Sequence, residues 1–277
     1  MGDRSFYAAT LYIASHLFGL IAGLNMLPGN FIQSNQLLNQ KPVSGLYLLG
    51  MIVVASGTML LLLHWNRKLL IKLWFNSALV LTVYIFFASF MSPMTALGPA
   101  IAVFIVRVMS PGYGIRNLAD IFSYAGAGAL FGTMLGVVPA LIFLVFLGIY
   151  DIVSVFLTGH MVDLAVKTVE NDSFMGIMLP ETEEESERAG SIEETGKSSD
   201  RDTVVGMVGG GDVIGPMVLS VSLLKILPLA SAVMTSIGSM LGLYFLMERK
   251  GNEGFLPAIP FVAAGGILGL AVSLLFV

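Results

Sequence analysis

The chain has 277 residues, 56% of them hydrophobic and only 12% charged, with a formal net charge of −4 and no cysteine. Soluble domains carry about a quarter charged residues, so this composition excludes an ordinary water-soluble domain. The absence of cysteine excludes disulfides, thiol catalysis and cysteine-held zinc or iron–sulfur sites. The one long polar segment is acidic and would repel phosphate, which excludes nucleic-acid binding.

Apolar runs of roughly 20 residues predict membrane-spanning helices, and the missing period-2 alternation argues against a barrel. The fold class expected is an all-α polytopic membrane protein with nine spans, at 5–27, 44–65, 70–91, 94–109, 120–137, 139–158, 203–225, 227–247 and 255–276. No small-residue cleavage site follows the first run, which reads as a retained span rather than a signal peptide. With nine spans, Arg4, Arg67, Lys68, Lys72, Arg107, Arg116, Arg249 and Lys250 fall on one side, and Lys41 and Lys225 on the other. This asymmetry predicts a cytoplasmic N-terminus and an extracytoplasmic C-terminus.

Residues 159–202 hold 12 of the 18 acidic residues and 4 of the 14 basic ones. They read as a mostly flexible cytoplasmic loop. The loop divides a six-span part, 1–158, from a three-span part, 203–277. Gly128, Gly132 and Gly136, and then Gly265 and Gly269, have the spacing of close helix packing. Arg107 and Lys225, near span ends, read as snorkelling to the headgroups. His16, His64 and His160 show no metal-ligand spacing and read as interfacial or solvated, so no metal and no cofactor is expected.

Two acids lie well inside the spans, Asp151 in LGIYDIVSV (147–155) and Asp212 in GMVGGGDVIGP (206–216). A charge at the membrane centre costs about 2.5–3.5 kcal/mol, so an acid there reads as functional. Counted from the cytoplasmic span ends, the two lie roughly 10 Å and roughly 14 Å deep, near enough in level to face one another. Two adjacent carboxylates share one proton: the charged member takes a proton from water, and the protonated member polarises a scissile carbonyl. The same pair would also suit an ion- or proton-coupled transporter or channel, although no internal repeat of the transporter kind is visible. Gly209, Gly210 and Gly211 admit a close neighbour, and Pro216 withholds an N–H from the carbonyl of residue 212. A backbone loosened in this way suits a water-lined cavity.

Three motifs in order resemble the presenilin and signal-peptide-peptidase family of intramembrane aspartic proteases. Tyr150-Asp151 is similar to the family's YD, Gly209-Gly210-Gly211-Asp212 to its GxGD, and Pro257-Ala258-Ile259-Pro260 to its PAL motif, with isoleucine in place of leucine. Prepilin peptidases share a GxGD aspartate but not the other two motifs. The GxSG of rhomboid-type serine proteases is only approximated by Val54-Ala55-Ser56-Gly57. The resemblance is closest to an archaeal presenilin homologue. It implies that Asp151 and Asp212 are catalytic, that Tyr150 shapes the site, and that Pro257, Ala258 and Ile259 position substrate. The implied substrates are transmembrane proteins or peptides met within the lipid bilayer. No obligate partner subunit is called for, and a homo-oligomer is compatible with the chain.

Overall fold

The computed structural model describes residues 2–27, 50, 54, 58, 68–109, 113–157, 176–179, 206–249 and 257–276. Eight α-helices follow in chain order among the described residues: α1 (Gly2–Met26), α2 (Lys68–Ala88), α3 (Pro93–Met109), α4 (Tyr113–Met134), α5 (Val137–Ile152), α6 (Gly210–Leu223), α7 (Leu229–Arg249) and α8 (Ile259–Leu274). A π-helical turn, Val153–Leu157, continues α5. The span expected at 44–65 lies outside the described residues, except that 50, 54 and 58 are helical. Segments within α1, α2 and α7, and the run joining α5 to its π turn, are each long and apolar enough to cross a membrane.

The chain is not purely helical. β1 (Gly176–Leu179) pairs antiparallel with β2 (Gly206–Gly209), in the register Gly176↔Gly209 to Leu179↔Gly206. This corrects the all-α expectation at two points. An apolar tetrad, Gly176-Ile177-Met178-Leu179, interrupts the acidic segment and is buried as a strand. The run expected to be helical from 203 is instead a strand through Gly209, with the helix starting at Gly210. All of 159–202 except 176–179 lies outside the described residues.

At 14 residues α6 is about 21 Å long, short of the roughly 30 Å hydrocarbon core. It is apolar all round, and every residue from Gly215 to Leu223 is buried, as expected of a helix surrounded by others. Its neighbours are α1, α4, α5, α7 and α8. Met217 packs against both Gly19 of α1 and Gly128 of α4, and Val221 one turn later against Gly23 and Gly132. Gly128 and Gly132 thus do the close packing their spacing implied. Gly136 has a different place, as N-cap of α5.

The polar residues expected at span ends are buried inside the protein. Arg107 is 8% exposed, and its Nε donates to Asp120 Oδ1 at 3.1 Å. Lys225 is 4% exposed, and its Nζ donates to the Leu135 carbonyl at 2.7 Å. Neither snorkels. Leu135 lies in the break between α4 and α5, where helix-end carbonyls lack intrahelical donors, and the ammonium answers that need. Helix α4 also begins seven residues before the expected span, and Asn117 in that added stretch finds its partners within the protein.

Helices α7 and α8 meet backbone to backbone. A Cβ at Gly265 would collide with the Gly238 carbonyl, one at Gly242 with that of Phe261, and one at Gly269 with that of Met234. The Gly242→Val variant is expected to force the two helices apart, at a cost of about 1–3 kcal/mol. A lowered thermal-unfolding midpoint of the detergent-solubilised protein would report it.

Candidate active site

Asp212 sits at the start of a helix, and Asp151 sits where α5 passes into its π turn. Asp151 is in the last turn of α5, 5% exposed, just before the π turn. Asp212 is in the first turn of α6 and partly exposed. The expected depths came from counting along uninterrupted helices. The helical run does continue past Asp151 to Leu157, but before Asp212 the chain is a strand through Gly209. The Asp151 charge lies within electrostatic reach of the Asp212 carboxylate.

Each carboxylate receives a main-chain amide. The Ile259 N–H donates to Asp151 Oδ2 at 3.0 Å, and the Ala258 amide faces the same group. Ile259 opens α8, where the first amides have no intrahelical acceptor, so a carboxylate is a fitting partner. The contact is made by backbone, so isoleucine serves there as leucine would. Gly148, one turn before Asp151, faces the start of α8, where a Cβ would make an ordinary contact 3.8 Å from Pro260. Pro257 is buried beside this turn and Ala258 is half-buried.

On the other side, the Gly209 N–H donates to Asp212 Oδ2 at 3.1 Å. Gly209 is the N-cap of α6, and the helix dipole adds partial positive charge at this end. The three glycines do different things. Gly209 supplies the amide. Gly210 lies against the Tyr124 ring, where a Cβ would come within 2.9 Å of a ring carbon. Gly211 faces open space. Tyr150 is 52% exposed and turned to the outside of α5.

Several polar residues around the pair escaped sequence reasoning. His16, expected to be interfacial or solvated, is fully buried and stacked on Tyr12 of the same helix. Asn117 of α4 treats β1 as a strand partner: its Nδ2 donates to the Met178 carbonyl and its Oδ1 accepts the Met178 N–H, both at 2.9 Å. Through β1 and then β2, α4 thus fixes the chain leading into Asp212. Asp120 is a further buried acid besides Asp151, but its ion pair with Arg107 gives it a structural role. The available signal was periodicity: Tyr12 with His16, and Asn117 with Asp120, share a helix face at i,i+4 and i,i+3. No group of three His, Asp or Glu residues suited to a metal occurs among the described residues.

Residues 9–277 match the family model described as signal-peptide peptidase, presenilin aspartyl protease. The chain belongs to this family. Two solved structures, each described as a presenilin family intramembrane aspartate protease, share its fold. The one in space group C222 is 20% identical with a TM-score of 0.69, covering 99% of this chain and 100% of its own. The one in P2 is 21% identical with a TM-score of 0.66, covering 98% and 97%. No curated protein sequence matches the chain. The protein is therefore a presenilin-family intramembrane aspartyl protease and a multi-pass integral membrane protein.

In this protease Asn117→Ala is expected to release β1. Two lost hydrogen bonds of about 1 kcal/mol each would speed exchange of the Met178 amide by about tenfold or more. Hydrogen–deuterium exchange resolved at residues 176–179 would measure it.

Proposed function

We propose that Asp151 and Asp212 are the catalytic dyad of this protease, hydrolysing peptide bonds within the transmembrane helices of membrane-protein substrates. The observation that carries this reading is the paired amide grip, Ile259 N–H on Asp151 and Gly209 N–H on Asp212, with the two charges in mutual reach. Both bonds go to an Oδ2; in this reading the carboxylate edges turned toward one another share a proton and a water. The carboxylate removes a proton from that water as it attacks the scissile carbonyl. The carboxylic acid hydrogen-bonds the carbonyl oxygen and then protonates the departing amine.

A helical peptide bond is shielded by its own hydrogen bonding, so the substrate must unwind locally before water reaches it. The turn Pro257–Ile259 supports a positioning role, since it already abuts Asp151 through backbone. The outward place of Tyr150 suits a contact with lipid or with arriving substrate rather than with the dyad. Both acids and both amide donors come from one chain. We further propose nine spans, with 44–65 as the second. Their charge asymmetry supports a cytoplasmic N-terminus, and connectivity then puts the dyad toward the cytoplasmic face.

Asp151→Ala and Asp212→Ala are each expected to lower cleavage by about 10³-fold or more, since general acid–base catalysis of this kind contributes 10²–10⁴. Mass spectrometry of a membrane-helix peptide incubated with purified wild type and variants would show it. Full proteolysis by either variant overturns the assignment. A peptide isostere bearing a hydroxyl at the scissile position is expected to inhibit, because it imitates the tetrahedral intermediate. Activity is expected to survive EDTA, as the dyad supplies both acid and base.

A further inference from the structure

Pro216 creates a need inside α6 that a different helix meets. In an α-helix the carbonyl of residue 212 would accept the N–H of residue 216, but proline has none and its ring crowds that carbonyl. The carbonyl in question belongs to Asp212. The Tyr12 hydroxyl of α1 reaches it at 3.4 Å. One turn further along α1, His16 Nε2 lies 3.2 Å from the next carbonyl, that of Val213. A carbonyl can only accept, so Nε2 carries the hydrogen. Nδ1 is then left to accept, and Ser236 Oγ of α7 lies 3.0 Å away. That hydroxyl is also 3.1 Å from the Ala232 carbonyl of its own helix, so one hydrogen serves two acceptors. The Tyr12 and His16 rings stack with centroids 4.5 Å apart and planes 23° from parallel. Tyr12, His16, Val213 and Ser236 are all fully buried.

We propose that Tyr12 and His16 are positioning residues, holding the Asp212–Val213 backbone in the arrangement that presents the Asp212 carboxylate to Asp151. The proposal rests on the reading of these two acids as the dyad. Its logic is mechanical. A helix broken at its first turn needs an external brace if the carboxylate there is to keep one orientation, and the paired rings brace it at two successive carbonyls. The brace is anchored through Ser236 to α7, and α7 is locked backbone to backbone with α8, whose Ile259 amide holds Asp151. Both carboxylates are thereby referenced to one rigid pair of helices.

The test uses the purified full-length protease, a membrane-helix peptide substrate and four variants. His16→Phe keeps the ring stack but removes both hydrogen bonds, while His16→Gln restores a donor toward Val213. Misplacing a catalytic group costs rate rather than binding, so His16→Phe is expected to lose about tenfold or more in kcat with KM held within about twofold. His16→Gln is expected to regain more than half of the lost rate. Nitrogen-15 NMR of histidine-labelled wild type is expected to show the Nε2–H tautomer at His16. Wild-type kcat in His16→Phe, or equal loss in both His16 variants together with lowered thermal stability, overturns the proposal. So does the Nδ1–H tautomer. If His16→Phe fails to fold, Ser236→Ala replaces it: an unchanged kcat rejects the anchor, and a severalfold loss at constant KM supports it. Asp212→Asn is the control. Cleavage that persists in it refutes the dyad, whereas its loss alongside a fully active His16→Phe refutes the brace alone.

Discussion

A carboxylate at membrane depth persists only where donors are already aimed at it, and here the donors are main-chain amides at the ends of secondary structure. Asp151 takes the amide that opens α8, and Asp212 takes the one that closes β2. Neither donor is a side chain, so each is placed by where a helix or strand begins or ends. Helix α5 passes into its π turn just after one acid and α6 begins just before the other, so each acid stands where the regular α-helix gives way and a main-chain donor is at hand.

The rest of the fold keeps those ends in register. Helix α6 is too short and too apolar to be placed by lipid, so protein surrounds it. Its Met217 and Val221 are each received by one glycine of α1 and one of α4. The strand pair prolongs this arrangement beyond the helix. Asn117 holds Met178, β1 holds β2, and β2 delivers Gly209 to Asp212. A polar side chain on α4 therefore bears on the geometry of an acid on α6 through a purely backbone route.

Much of this was legible in the sequence. Long apolar runs gave the helices, and Asp151 and Asp212 stood out because ionisable residues are so scarce within them. What the sequence hid has physical causes. Hydropathy placed the start of α4 late because Arg116 and Asn117 are polar, although its partners make Asn117 an interior residue. Four-residue strands carry too little period to be seen, and the apolar tetrad of β1 was masked by acidic neighbours. Arg107 and Lys225 were read as solvated because snorkelling is the usual fate of such residues, whereas here a carboxylate and a helix-end carbonyl receive them. His16 shares a helix face with Tyr12, but the groups it bonds lie 197 and 220 positions along the chain, which local pattern does not reach.

The two ends of α6 are held in different ways. At Lys225, just past its last residue, a short charged bond ties the chain to the turn between α4 and α5. At the other end, three glycines and a proline leave the first turn dependent on its neighbours. The element is a cantilever, clamped at the root and supported at the tip by contacts that neighbouring segments can tighten or relax. A load on this element is thereby met first within a few residues of Asp212, ahead of the tight packing of Met217 and Val221 against glycines.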